Sequence, residues 1–392
     1  MNILVYPHQM VIGGSQINAL ELAARIRDRG HTVTVVAPDG PLVEMVTQLG
    51  LPYYQTVSDS DEVSLRTGFQ LAGLVRRLEI DVIHAYEWRP ALEASYVPHF
   101  LSGVPLVVTV LSMSVPNFIP KHLPLIVGTA ELGAMMRSKG RPRIEVMEPP
   151  VDVEMNRSGD IARARSVWSF QPDEIVVAVI CRMTSDLQKL EGVLEAMEVI
   201  GDLAQDAPLR FLVVGGGEGI EEVTRRAEEV NSRFGHPIIV VAGPMSDPRE
   251  AYEASDIVLG MGSSALRGMV FAKPLVVQGS NGFWRLLDPD SVDLFLWQGW
   301  YGDGGNGPGD LRAILRRLLS DRSELLALGE FGRELAERRF SLDHAAATTA
   351  AILEQAVCNA KTGSNLSSLA RSAASYGKCL INDMRRRAGA VV

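Results

Sequence analysis

Short, continuous apolar runs separated by amphipathic helical stretches constrain this chain more than any other feature. Residues 3–6, 32–37, 82–85 and 106–110 are such runs, and 125–128 and 144–147 repeat them. Helical stretches fall between them, over 16–29, 41–49, 71–78, 90–101 and 131–139. In the first, Ile17, Leu20, Ala24 and Ile26 recur near one face, and Gly30 stands where a left-handed C-terminal residue ends a helix. Strands without polar alternation are strands buried on both faces, which in an alternating β/α chain means a parallel sheet covered by helices.

The sequence Glu148-Pro149-Pro150-Val151-Asp152 interrupts the rhythm, because paired prolines continue neither a helix nor a central strand. The pattern then restarts. Strands are expected over 175–180, 211–214, 238–241, 257–259 and 275–277, with helices over 189–200, 220–233, 249–254 and 265–271. From 310 to about 360 the chain reads as helical throughout. At 392 residues it exceeds one ordinary core. The expected division is a Rossmann-like domain over 1–150, a second over 151–340, a helix over 341–360 that returns to the first domain, and a loosely ordered tail over 361–392. Two doubly wound halves imply a central cleft lined by strand C-terminal ends, where open α/β sheets bind ligands.

A net charge of −9 argues against a nucleic-acid binder, which needs a basic surface. The first residues have no basic segment and no cleavage site, and no apolar run spans a bilayer. The expected compartment is therefore the cytoplasm. Arg385-Arg386-Arg387 allows a peripheral membrane contact as a weaker expectation. Cys181, Cys358 and Cys379 match no zinc or redox spacing.

Three strand-to-helix junctions carry candidate chemistry. Gly13-Gly14-Ser15 opens the first helix, where free amides attract anions and glycine admits a phosphate; a tight turn has the same composition. Arg182 follows one strand and Lys189 opens the next helix. A guanidinium fork and an ammonium point charge suit a diphosphate, and position alone is equally met by two solvated charges. Gly260-Met261-Gly262-Ser263-Ser264 is a third cradle, with Ser263 and Ser264 at cap-like positions. Gly215-Gly216-Gly217-Glu218-Gly219 lacks the spacing of a dinucleotide fingerprint and reads as a turn. Asp59-Ser60-Asp61 reads as a solvated turn rather than a metal site. His84 ends a strand and is expected either to face the cleft or to be structural; His8 and His122 lie near loops.

Several segments together resemble family 4 retaining glycosyltransferases. These are Gly13-Gly14-Ser15, the run from Arg29 to Val36, Asp81-Val82-Ile83-His84-Ala85, Pro150-Val151-Asp152, and the segment from Ala254 through Lys273-Pro274 to Val277. The similarity covers most of residues 1 to about 355. It implies a GT-B fold, an acceptor-side N-terminal domain and a nucleotide-sugar donor held mainly by the C-terminal domain. It further implies retention of configuration without a metal or separate cofactor. Arg182 and Lys189 fall where the family binds the diphosphate, and Gly262, Ser263, Ser264 and Arg267 fall in its donor segment. The family's two donor-site glutamates are replaced here by Leu259 and Arg267, and a histidine usual after the fifth strand is missing at Leu111. A leucine accepts no hydroxyl hydrogen bond, and an arginine only donates.

The expected function is thus a glycosyltransferase acting on an unidentified acceptor. The alternative is a catalytically silent GT-B protein that binds a ligand or partner, motivated by the missing side chains. A nucleotide-sugar epimerase ranks last, since no acid/base carboxylate pair stands out.

Overall fold

The computed structural model describes residues 1–58, 62–359 and 366–389, with side chains to residue 386. Two compact units result, one formed by Met1–Pro149 with the C-terminal segment from Leu342, the other by Pro150–Ser341.

The first unit runs β1 (Asn2–Tyr6), α1 (Gly14–Asp28), β2 (Thr32–Ala37), α2 (Val43–Gln48), β3 (Tyr53–Gln55), α3 (Leu65–Arg77), β4 (Val82–Tyr86) and α4 (Trp88–Ala94). A π-helical turn over Ser95–His99, which contains Pro98, leads into the short α5 (Phe100–Ser102). Proline has no N–H to donate, which breaks the regular ladder there. Then follow β5 (Leu106–Val110), β6 (Leu125–Val127), α6 (Ala130–Ser138) and β7 (Ile144–Val146). The seven strands are parallel in the order β3-β2-β1-β4-β5-β6-β7. Every residue of β4, β5 and β6 is buried, as continuous apolar strands require. Ser64 and Thr129 cap α3 and α6 by accepting from Thr67 N and Leu132 N at 3.2 Å.

The second unit runs α7 (Ile161–Ser166), β8 (Ile175–Ile180), α8 (Lys189–Leu203), β9 (Leu209–Val214), α9 (Ile220–Asn231), β10 (Ile239–Gly243) and α10 (Arg249–Ala254). It continues with β11 (Ile257–Gly260), α11 (Ser263–Val270), β12 (Leu275–Gln278), β13 (Trp284–Leu286), α12 (Val292–Gln298), α13 (Pro308–Ser320) and α14 (Arg322–Arg339). Its sheet has the order β10-β9-β8-β11-β12-β13, parallel except for the β13 edge, which pairs antiparallel with β12.

The chain then returns to the first unit as α15 (Leu342–Cys358) and α16 (Leu366–Gly389). Leu342, Ala345, Ala346 and Leu353 of α15 share one apolar cluster with Leu20, Ala23 and Ala24 of α1. The expectation of a loosely ordered tail over 361–392 is corrected for residues 366–389, which form α16; its remaining residues lie outside the described ones. Its Leu369, Ser372 and Tyr376 recur at helical spacing and face inward. Ser372 Oγ lies 2.6 Å from the Phe118 carbonyl and 2.9 Å from the Tyr96 hydroxyl, and the Tyr376 ring packs against Trp88 and Phe118. A Ser- and Ala-rich composition hid that face.

In each sheet the strand order reverses once beside the first strand, between β1 and β4 and between β8 and β11. Crevices at the carboxyl ends of such strands are where doubly wound sheets bind ligands.

Candidate functional site

In the second unit the carboxyl end of β8 carries the first candidate cluster. Arg182 follows the strand and Lys189 begins α8, as the sequence implies. Between them Leu187 and Gln188 both adopt left-handed backbone, at φ +54° and +53°. Two successive non-glycine residues in that region are strained and persist only where neighbours hold them. Gln278, at the end of β12, does so by donating to the carbonyls of Gln188 and Lys189 at 3.1 and 3.2 Å. The Asn281 amide donates to Gln188 Oε1 at 2.6 Å. Gly192 leaves room for this, since a Cβ there would collide with the Gln278 amide.

The two cations are not independent surface charges. Lys189 Nζ and the Thr184 hydroxyl both donate to Asp186, and Arg182 lies 3.8 Å from the same carboxylate. Burial alone would raise the Asp186 carboxyl. The bonds from Lys189 and Thr184 outweigh it and hold the group below the usual carboxylate range. The Lys189 side chain is 12% exposed and that of Arg182 53%, so the lysine is packed against the protein and the arginine faces solvent.

The turn after β9 locks this loop. Gly215 and Gly217 have φ of +144° and +142°, and a Cβ at either would collide with the backbone of Cys181 or Met183. Met183 N donates to Gly216 O, and Gly219 N donates to Met183 O, each at 2.9 Å. The glycine run therefore serves close packing between two loops.

After β11, Gly262 is the residue that precedes α11, with φ +57° and no side chain capping the helix. This corrects the cap-like reading of Ser263 and Ser264. Ser263 is already helical, and Ser264 Oγ turns back to donate to the Met261 carbonyl at 2.9 Å. Leu259 is fully buried in the core, in register with Val179 and Val276. Arg267 is half-buried on α11; it adds to the stronger bond from Arg249 in holding the Asp247 carboxyl low.

In the first unit the corresponding edge carries Gly13, Gly14 and Ser15. Gly13 is extended, and no side chain caps α1. The first amides of that helix point outward without partners from its own turns. His8 in the preceding loop pairs with Gln16 at 3.3 Å, and burial and then the nearby Arg89 lower its pKa to about 4. His84 is not aimed at this edge. It is buried beside Tyr86, its Nε2 lies 2.7 Å from the Thr109 hydroxyl, and burial lowers its pKa to about 3. Asp59-Ser60-Asp61 lies outside the described residues. Among the described residues no group of three or more His, Cys, Asp or Glu side chains is placed to hold a metal.

Two residues of these clusters escape sequence reasoning. Asp186 sits inside the Arg182–Lys189 interval and looks like an ordinary loop acid. Glu87 immediately follows β4 and is 5% exposed, and its carboxylate accepts from four donors. An acid directly after a buried strand was the available signal.

The two doubly wound units define the GT-B fold. Anabaena HepE in complex with UDP superposes with a TM-score of 0.70 at 16% identity, covering 91% of this chain and all of that one. A glycosyltransferase from Rickettsia africae gives 0.73 at 16% identity, covering 91% and 99%. At such identities the likeness is one of fold. In sequence, residues 12–126 match the model of Glycosyltransferase Family 4. The D-inositol 3-phosphate glycosyltransferase of Rhodococcus jostii is 26% identical over 230 residues, 56% of this chain and 49% of that relative. The Segniliparus rotundus protein of the same name is 27% identical over 200 residues, 48% and 42%. This chain thus spans about half the length of the curated relatives it matches. The chain resembles family 4 glycosyltransferases.

Proposed function

We propose that the protein is a glycosyltransferase that moves a sugar from a nucleotide sugar to an acceptor hydroxyl with retention of configuration. The observation that carries this is the convergence of Arg182 and Lys189 on one carboxylate at the switch point of the second sheet, beside the glycine-flanked start of α11. Their charges suit a diphosphate leaving group, so we infer transfer without a catalytic metal. The bond from the anomeric carbon to the phosphate oxygen breaks, the acceptor oxygen bonds to that carbon, and its proton passes to the departing phosphate. Gly262, Ser263 and Ser264 are proposed to line the donor site, with Arg267 meeting an acidic group of the donor, and Gly13 and Gly14 to face ligand in the first unit.

UDP-sugars are the first donors to test, because the structurally similar HepE was crystallised in complex with UDP. Inositol phosphates are the first acceptors, from the names of the curated relatives. A cytoplasmic setting is supported by three unpaired cysteines, Cys181, Cys358 and Cys379. Among the described residues no helix is long and apolar enough to cross a membrane. The exposed end of α16, with Ile381, Met384, Arg385 and Arg386, is proposed as a peripheral contact with anionic lipid.

A thermal-shift screen of nucleotides and nucleotide sugars tests the donor site. A ligand at about a hundredfold its Kd adds about 2.7 kcal/mol, which is roughly 5–10 °C for a unit of this size. Arg182→Ala should remove most of that shift. Radiolabelled donor turnover tests the chemistry. A second reading rests on Leu259, whose place in the apolar core leaves no carboxylate at that position for sugar hydroxyls. On that reading the chain binds a ligand or partner without turning it over, and a measurable kcat for the isolated chain would sink it.

A further inference from the structure

Glu87 occupies a backbone conformation that does not suit it. At φ +68° and ψ 178° it lies in a region that essentially only glycine enters without strain, at a cost on the order of 1–3 kcal/mol. Its carboxylate is also buried, and burial raises its pKa against the pull of its hydrogen bonds. A glycine would relieve both costs, so the carboxylate must supply something at this position.

Its bonds show what that is. Glu87 precedes α4 but does not cap it. The side chain instead accepts from Leu111 N at 2.9 Å, Ser112 N at 3.2 Å and Ser112 Oγ at 2.7 Å, all in the loop after β5. It also accepts from Ser15 Oγ, in the first turn of α1, at 3.4 Å. Its own amide donates to Thr109 O at 2.8 Å. Two residues later Arg89 donates to the carbonyl of His8, in the loop after β1. The segments following β1, β4 and β5 are thereby tied together at the switch point of the first sheet, around the uncapped start of α1.

We infer that Glu87 is a positioning residue: held in strained backbone, it ties the 111–112 loop to the first turn of α1 and so fixes where the free amides of that turn meet ligand. Three of the four donors converge on Oε1 and the Ser112 hydroxyl meets Oε2, so the carboxylate takes all four as charge-assisted bonds. Glutamine keeps the volume and one acceptor oxygen but removes the charge that strengthens those bonds. The inference rests on the reading of Gly13 to Ser15 as a ligand-facing turn.

The test compares wild type with Glu87→Gln and Glu87→Gly by amide hydrogen exchange, melting temperature and donor turnover. In Glu87→Gln, exchange at residues 111–112, whose amides bond the carboxylate, should rise at least roughly tenfold, the energy of one neutral hydrogen bond. The kcat/KM should fall by a similar factor or more, while UDP affinity, set by Arg182 and Lys189, stays unchanged. Glu87→Gly, freed of strain, should melt within a few degrees of wild type yet share the turnover defect. A Ser112→Ala change should be non-additive with Glu87→Gln. Unchanged exchange in Glu87→Gln overturns the inference, and so does a turnover loss that follows the unfolded fraction and disappears on cooling. A wild type that neither binds UDP nor turns over a donor overturns the glycosyltransferase reading instead, and the exchange result then still judges Glu87 alone.

Discussion

Asp186 makes an unusual prediction, that removing an acid from a binding site tightens it. Its carboxylate engages Lys189 and Thr184 and lies 3.8 Å from Arg182. A diphosphate held by the same two cations comes close to that carboxylate. At about 6 Å and an effective dielectric constant of about 40, fitting a half-exposed group, one phosphate charge against one carboxylate costs about 1.4 kcal/mol, roughly tenfold in affinity. Asp186→Asn removes the charge and keeps an oxygen to accept from Lys189 and Thr184. Its affinity for UDP, measured by calorimetry at about 0.1 M salt, should therefore rise roughly five- to tenfold, and the gain should shrink as salt screens it. Lys189→Ala should lose affinity in the same assay. An Asp186→Asn protein that binds UDP as wild type does, or more weakly, would refute the reasoning. It would mean either that the phosphate sits elsewhere or that the carboxylate's main work is to hold Lys189 in place.

Further outcomes follow from other parts of the molecule. His84, His8 and His122 have pKa values lowered to about 3, 4 and 4, each chiefly by burial, so the folded state keeps them neutral while unfolded histidines take protons near 6.5. Their contribution is complete above pH 6.5 and is lost as pH falls below it, each steepening the decline by up to about 1.4 kcal/mol per pH unit. Urea denaturation should show this between pH 6.5 and about 5, with a shallower slope in His84→Asn; a flat profile counts against it. Gly215→Ala drives a Cβ into the Cys181 carbonyl at a φ of +144°, and should lower stability by roughly 2–4 kcal/mol, read by calorimetric melting. Vesicles containing anionic lipid should retain the protein at low salt, and Arg385→Glu with Arg386→Glu should release it at least roughly tenfold, since each basic residue near such a surface is worth about 1 kcal/mol; equal retention on neutral vesicles argues otherwise.

The layered architecture was legible because β1, β2, β4, β5, β8 and β9 are buried on both faces and so read as predominantly apolar runs. The edge strands β3 and β13 were not, since Tyr53-Tyr54-Gln55 and Trp284-Arg285-Leu286 hold at most one aliphatic residue each and so show no apolar run. A run helical throughout from 310 to 360 is in fact α13, α14 and α15, broken at Asp321, whose side chain caps α14, and again after Arg339. Arg182 and Lys189 could be proposed from their place after a strand, but their shared carboxylate depends on the left-handed turn at Leu187 and Gln188, which no composition announces. Glu87 showed only as an acid after a buried strand, for the same reason. Its role comes from a backbone angle and from partners 24, 25 and 72 residues away. His84 looked equally suited to a ligand or to the core, and only its bond to Thr109 decides for the core.

The chain's return to its first unit sets an order of completion during synthesis. Residues up to Pro149 emerge first, yet α1 lacks its α15 cover until residues 342–358 have been made. At about 5–20 residues per second that interval lasts on the order of 10–40 s, far longer than collapse of a chain this size. The second unit, contiguous from Pro150 to Ser341, has all its strands before the first unit has its last helices. The half that leaves the ribosome first is therefore the last to be finished. A stop codon placed after Ser341 would spare the neighbouring unit and strip the apolar cover from the distant one, leaving Leu20, Ala23 and Ala24 open to chaperones or to other nascent chains.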